Sequence, residues 1–114
     1  MGNYRRKSVR DPALNLSANL SFLFTEFEFA ERFERAARAG FRGVEYMFPY
    51  ACDDNELRAL LRENGLVQVL HNLPAGDWAA GERGVACLPG REAEFRDSVA
   101  LGIDFARTLD CRQL

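Results

Sequence analysis

The chain of 114 residues is poor in the groups from which local metal and redox sites are built. It has one histidine, His71, so no local pair of histidines can hold zinc. Its three cysteines, Cys52, Cys87 and Cys111, stand far apart, and the absence of a C-x-x-C pair excludes a zinc knuckle or a thioredoxin-type motif. No apolar run approaches the length that spans a bilayer. Neither G-x-G-x-x-G nor a Walker pattern occurs, so the glycines point to turns rather than to a phosphate cradle. Lys and Arg number 15 against 17 Asp and Glu, a net charge of −2, which removes the basic footprint of a nucleic-acid binder. MGNYRRKSVRDP at the start lacks the apolar stretch of a secretory signal.

What is present describes one globular domain. Hydrophobic residues make up 47% and charged residues 28%, an ordinary balance for a packed core under a wet surface. An odd number of widely spaced thiols suits a reducing compartment and buried, inert side chains, hence a cytoplasmic location. Residues 1–13 are expected to form a disordered basic tail, with a single domain over 14–114.

The pattern along that domain alternates between strand and helix. Leu16, Ala18 and Leu20 alternate with Ser17, Asn19 and Ser21, the period of two of a strand, within Leu14–Phe24. Thr25 and Glu28 have capping-box spacing before a helix reaching about Ala39, with Phe29, Phe33, Ala36 and Ala37 as its apolar stripe. Glu28–Arg32, Glu31–Arg35 and Glu34–Arg38 are spaced as i,i+4 pairs, and Gly40 is a natural stop. Gly43–Phe48 is a second strand, ended by Pro49. Asp53 or Asp54 caps a second helix carrying Leu57, Leu60 and Leu61 and stopping at Asn64-Gly65. Leu66–His71 is a third strand. A third helix over about Arg91–Leu109 carries Phe95, Val99, Gly102, Ile103 and Ala106, widened by Leu101, Phe105 and Leu109. Glu92–Arg96 is spaced as a further pair, and Arg112-Gln113-Leu114 reads as the opening of a fourth strand.

Strands separated by helices imply parallel pairing with right-handed crossovers. Three and a half such units leave raw edges and an open sheet face, so the chain is read as the amino-terminal part of a longer protein. The most informative segment is Asn72–Glu92, NLPAGDWAAGERGVACLPGRE, a connection too long for a plain turn. It leaves the carboxyl end of a strand, where α/β folds place ligand sites.

At LSANLSFLFTE, AGFRGVEYMFPY and NLPAGDWAAGERGVACLPGRE the chain resembles the hydroxypyruvate isomerases, a family of the xylose isomerase-like TIM barrels related to 2-oxo-tetronate isomerases. The resemblance runs from about Leu16 to Leu114, and PAGDWAAGE with LPGRE is its most specific part. It implies the N-terminal part of a parallel (β/α)8 barrel, a fold of about 250 residues. It implies, for the parent protein, the interconversion of hydroxypyruvate and tartronate semialdehyde through an enediol, and a place in glyoxylate metabolism. Two glutamates and a divalent ion, Mg or Mn, are implied as the family's machinery, all beyond Leu114. No catalytic residue and no metal ligand is therefore carried over to this chain, which on its own is expected to be inactive.

The candidates for substrate binding are Arg83, His71, Glu45, Asn72 and Trp78, with Asn19, Ser21, Phe24 and Phe48 also at strand ends. Arg83 suits the carboxylate of a small 2-oxo or hydroxy acid, or else an ion pair with Glu82. His71 suits a substrate oxygen or a loop carbonyl. Glu45 suits substrate, a pairing with Arg83 or another structural bond. Trp78 suits a lid or an anchor of the loop on the rim. Two alternatives stay open: a non-catalytic half-barrel acting by self-association as a homo-oligomer or by docking to a partner, and a related 2-oxo-tetronate or sugar isomerase.

Overall fold

The computed structural model describes residues 14–114, and the expected basic tail lies outside the described residues. Three strands and three helices alternate: β1 (Ser17–Asn19), α1 (Phe29–Arg38), β2 (Gly43–Tyr46), α2 (Asp54–Glu63), β3 (Val67–His71) and α3 (Glu92–Thr108). The strands form one parallel sheet in the order β1-β2-β3. Each crossover helix returns the chain to the start of the next strand, so all three strands end on one side. Among the described residues no helix is long and apolar enough to cross a membrane.

One sheet face is packed and the other is open. Ala18, Leu20, Val44 and Tyr46 point to the helices and are at most 2% exposed. They meet Phe33 and Ala36 of α1, Leu57 and Leu61 of α2, and Leu109 and Cys111 after α3. Phe29, Phe33 and Tyr46 stack edge to face, with centroids 5.2–5.8 Å apart. Ser17, Asn19 and Glu45, on the other face, are half-buried, and Val67 stays 62% exposed.

The helix ends refine the expected signals. Asp53 caps α2, its Oδ1 accepting from the Asn55 and Glu56 amides at 2.9 and 3.1 Å. The cap of α1 is Glu28, not Thr25: the Glu28 amide donates to Glu31 Oε2 at 3.2 Å. That use of Glu28 and Glu31 breaks two expected i,i+4 pairs, and Glu34–Arg38 alone of the three forms, at 2.7 Å. Arg32 instead bonds the Leu20 and Phe27 carbonyls, and Arg35 lies over the Phe27 ring. Glu92 accepts from the Gly90 amide rather than pairing with Arg96.

Three other expectations are corrected. Leu101 and Ile103 are 42% and 38% exposed, while Ser98 is buried on the packed side of α3 with its hydroxyl on the Glu94 carbonyl. Cys87 is exposed, whereas Cys111 is buried and Cys52 half-buried. Residues 112–114 form no strand: Asp110 turns the chain in the left-handed region, the Cys111 amide bonds Ala106 O, and its thiol donates to Gln113 O. Those bonds tie the segment to the end of α3 rather than into a ladder.

Phe33 is wholly buried at the centre of this core. Phe33→Ala is expected to cost about 3–5 kcal/mol, a large share of the roughly 5–15 kcal/mol that holds a domain folded. Denaturant titration followed by circular dichroism checks this.

Candidate functional site at the carboxyl ends of the strands

The ends of β1 and β2 are held together by short polar side chains. Asn19 Oδ1 accepts from the Ser21 amide at 3.0 Å, and Asn19 Nδ2 donates to Glu45 Oε1 at 3.2 Å. The Ser21 hydroxyl accepts from the Met47 amide at 2.9 Å, extending the ladder beyond the Leu20–Glu45 bond. Glu45 therefore points to the open face with an amide as its partner, and no pairing with Arg83 forms. Phe24, at φ 61°, turns the chain and packs on the core instead of facing the rim.

The end of β3 is governed by a bulge. Val44 pairs with Gln68, but Glu45 pairs with Leu70, so Val69 is an extra residue in the ladder. Gln68 Nε2 donates to the Leu70 carbonyl at 2.7 Å across the bulge. The extra residue reverses the faces beyond it. Leu70 now stands beside Glu45, and His71 stands beside Tyr46 on the helix side.

His71 is thereby removed from the candidate site. It is wholly buried, its Nε2 bonds the Gly102 carbonyl of α3 at 3.2 Å, and its Nδ1 has no partner among the described residues. At Gly102 itself α3 lies close against the chain leaving β3, because a Cβ there would run into the Leu73 side chain. Burial pushes the imidazole below its ordinary pKa of 6.5, the Gly102 bond opposing this in part. The Tyr50 hydroxyl closes the same corner, donating to the Asn72 carbonyl at 2.5 Å while its ring packs on Phe105. Burial raises this phenol to about 12. Asn72 thus contributes its backbone to the corner, and its side chain is exposed.

The long loop supplies the remaining candidates. Trp78 packs on Phe48, just past β2, with centroids 5.0 Å apart, and stays 41% exposed. It anchors the loop on the rim. The Arg83 guanidinium lies 3.8 Å from the Trp78 ring centroid, a cation–π contact. Arg83 Nη1 donates to the carbonyls of Trp78 at 3.0 Å and Glu82 at 2.7 Å. No carboxylate pairs with Arg83 among the described residues. Between Trp78 and the β1 exit runs a groove of about 350 Å³, lined by Ser21, Arg32, Met47 and Phe48.

The expected Arg83–Glu82 pair is replaced by one that sequence reasoning missed. Arg91, at the start of α3, holds the Glu82 carboxylate through Nη1 and Nη2, and takes Glu94 through Nε and Nη2 at 2.7 Å. Arg91 holds the Glu82 carboxyl down at about 2, and the Asp77 amide adds to this. The arginine of LPGRE was the available signal, standing at the predicted helix start but nine residues from its partner in sequence.

Metal chemistry finds no fit in this half. Among the described residues no three His, Cys, Asp or Glu side chains gather to hold an ion, and the Glu45 carboxylate is bonded by the Asn19 side-chain amide. Burial raises the thiols of Cys52 and Cys111, so neither is primed as a nucleophile.

Comparison with known proteins agrees with the architecture. The family model described as "Xylose isomerase-like TIM barrel" matches residues 33–114. The chain is 61% identical over 101 residues to hydroxypyruvate isomerase of Escherichia coli, covering 89% of this chain and 39% of that protein. It is 53% identical over 90 residues to 2-oxo-tetronate isomerase of Cupriavidus necator, covering 79% of this chain and 35% of that one. A crystal structure from Brucella melitensis, described as an AP endonuclease of family 2, superposes with a TM-score of 0.84 at 52% identity, over 87% of this chain and 39% of its own. The chain thus spans less than half the length of these relatives.

The depressed pKa of His71 fixes a pH dependence. The unfolded chain binds a proton near pH 6.5 that the folded chain refuses, so stability falls as pH drops from 6.5 toward the lowered value. Thermal unfolding at pH 7.5 and 5.5 is expected to show a loss of Tm at the lower pH. His71→Gln, which keeps a donor for Gly102 O but does not titrate, is expected to shrink that loss.

Proposed function

We propose a function from the premise that this chain belongs to the xylose isomerase-like TIM barrel family. It is the front part of a hydroxypyruvate isomerase-like enzyme, and its share of the work is to bind and orient a small 2-oxo acid. The observation that carries this reading is Arg83. It is a guanidinium held over Trp78 at the carboxyl ends of parallel strands, with two backbone bonds and no carboxylate partner among the described residues.

In the reaction that hydroxypyruvate isomerisation requires, a proton leaves the carbon beside a carbonyl and returns to its neighbour through an enediol. Holding the carboxylate fixes which carbon meets the base. Arg83 presents its remaining N–H donors for that purpose, while Trp78 keeps water from one side of the guanidinium. Asn19, Ser21 and Glu45 offer a polar wall for the hydroxyl and carbonyl oxygens. The proton-moving groups, and the Mg or Mn ion implied for the complete protein, are assigned to no residue of this chain. The cytoplasm is the compartment we assign, on the free thiols, and glyoxylate metabolism the setting. The 53% identity to a 2-oxo-tetronate isomerase favours a longer 2-oxo acid as the second substrate reading.

A chimera tests this. In it, the chain replaces the aligned segment of the E. coli relative, whose own residues complete the barrel. Turnover of hydroxypyruvate, or of a 2-oxo-tetronate, is expected from the chimera and not from the chain by itself. Arg83→Ala is expected to lower kcat/KM roughly ten- to a hundred-fold, the value of about 1.5–3 kcal/mol for bonds to a charged group. A folded but inactive chimera, or one indifferent to Arg83→Ala, overturns the proposal.

A further inference from the structure

We infer that Glu82 and Arg91 are positioning residues: their ion pair fastens the Trp78–Arg83 turn to the first turn of α3 and so holds the Arg83 guanidinium at the rim. This rests on the reading of Arg83 as the carboxylate-binding group.

The two arginines of the loop have divided roles. Arg91 spends Nε, Nη1 and Nη2 on Glu82 and Glu94 and is met by two carboxylates, so its charge is cancelled where it stands. Arg83 spends Nη1 on two carbonyls and meets no carboxylate among the described residues. The first builds the loop and the second is presented by it.

Glu82 is the joint between them. Its Oε2 accepts from the Asp77 amide at 2.6 Å, and its own amide donates to the Asp77 carbonyl at 3.0 Å. These bonds close residues 77–82 into a turn, stitched further by the Gly81 amide on Trp78 O at 3.1 Å and the Ala80 amide on Asp77 Oδ1 at 3.0 Å. Trp78 lies inside that turn and Arg83 directly after it. The chain closes over the carboxylate at Gly76, whose φ of 81° suits glycine and where any Cβ would strike the Glu82 carboxylate and come within 3.0 Å of Val85. Val85 is itself buried. The Glu82 and Arg91 side chains are 29% and 31% exposed, which shields the pair from water more than the Asp104–Arg107 pair, at 72% and 78%. Without the Glu82 carboxylate the Asp77 amide loses its acceptor, and the turn loses its tie to α3.

Trp78 is the one tryptophan of the chain, so its fluorescence reports the turn directly. Glu82→Ala and Arg91→Ala are each expected to shift Trp78 emission to the red and raise its quenching by acrylamide, with far-UV circular dichroism unchanged. The double variant is expected to match Glu82→Ala, because Arg91→Ala removes only the ion-pair part of what Glu82→Ala removes. Glu82→Gln keeps an acceptor for the Asp77 amide and is expected to fall between. Asp104→Ala, at the exposed pair, is expected to leave the signal where it is. A Trp78 spectrum that Glu82→Ala does not move overturns the inference, as does a wild-type tryptophan already quenched as freely as one in open solvent. In the chimera, the same variants are expected to raise KM for hydroxypyruvate more than they lower kcat. An inactive chimera with a responsive Trp78 rejects the carboxylate reading alone. An active chimera with an unresponsive Trp78 rejects the positioning alone.

Discussion

The parallel ladder between β2 and β3, with Val69 inserted as its extra residue, is the constraint on which the site depends. In a strand, the face of a side chain follows from counting by twos, and one added residue reverses every face after it. Before the bulge, Gln68 lies on the helix side next to Val44. After it, Leu70 joins Glu45 on the open face and His71 joins Tyr46 in the core. The bulge thus removes the one imidazole from the open face and places an aliphatic group beside the rim carboxylate. It also explains two side-chain bonds: Gln68 satisfies the Leu70 carbonyl, and His71 is steered onto α3 at Gly102.

How far the sequence could be read follows from where its information is local. The order of elements was legible, because the strand runs alternate or are bounded by turn residues and the helix stripes repeat near 3.6. Ala18, Leu20, Phe33, Ala36, Leu57 and Leu61 stand where those periods put them. Asp53 behaves as its position before a helix suggests. The bulge was not legible. VQVLH is a short, mostly apolar run, and such a run carries no mark of where a partner strand will skip a residue. Before α1 the capping-box spacing of Thr25 and Glu28 pointed to Thr25 as the cap. Glu28 prevails over Thr25 because Glu31 reaches back to its amide.

The candidate site divides along the same line. That the loop from Asn72 to Arg91 contributes to the rim was readable from its length, its tryptophan and its place after a strand. Which arginine pairs with Glu82 was not, because sequence adjacency favours Arg83 while geometry favours Arg91. Neighbouring side chains on a turn diverge, and Arg83 turns back onto Trp78. Arg91 lies nine positions away in sequence but is brought to Glu82 by the closure of the loop over Gly76. The pairing therefore belongs to tertiary structure, and it leaves the arginine next to the aromatic ring without a carboxylate partner among the described residues.

The strength of that presentation depends on how much water the rim excludes. An exposed arginine meeting a carboxylate in open solvent gains about 0–1 kcal/mol, too little to select a substrate. Trp78 covers one side of the Arg83 guanidinium, and Phe48 backs Trp78, but the opposite side stays open, as does the inner face at Glu45 and Asn19. The same bonds gain strength as the surroundings dry, because screening falls with the local dielectric. Further barrel strands across the open face would supply that drying along with the reacting groups. On the proposed reading the two contributions are inseparable: the Arg83 guanidinium would select a carboxylate only inside a closed wall.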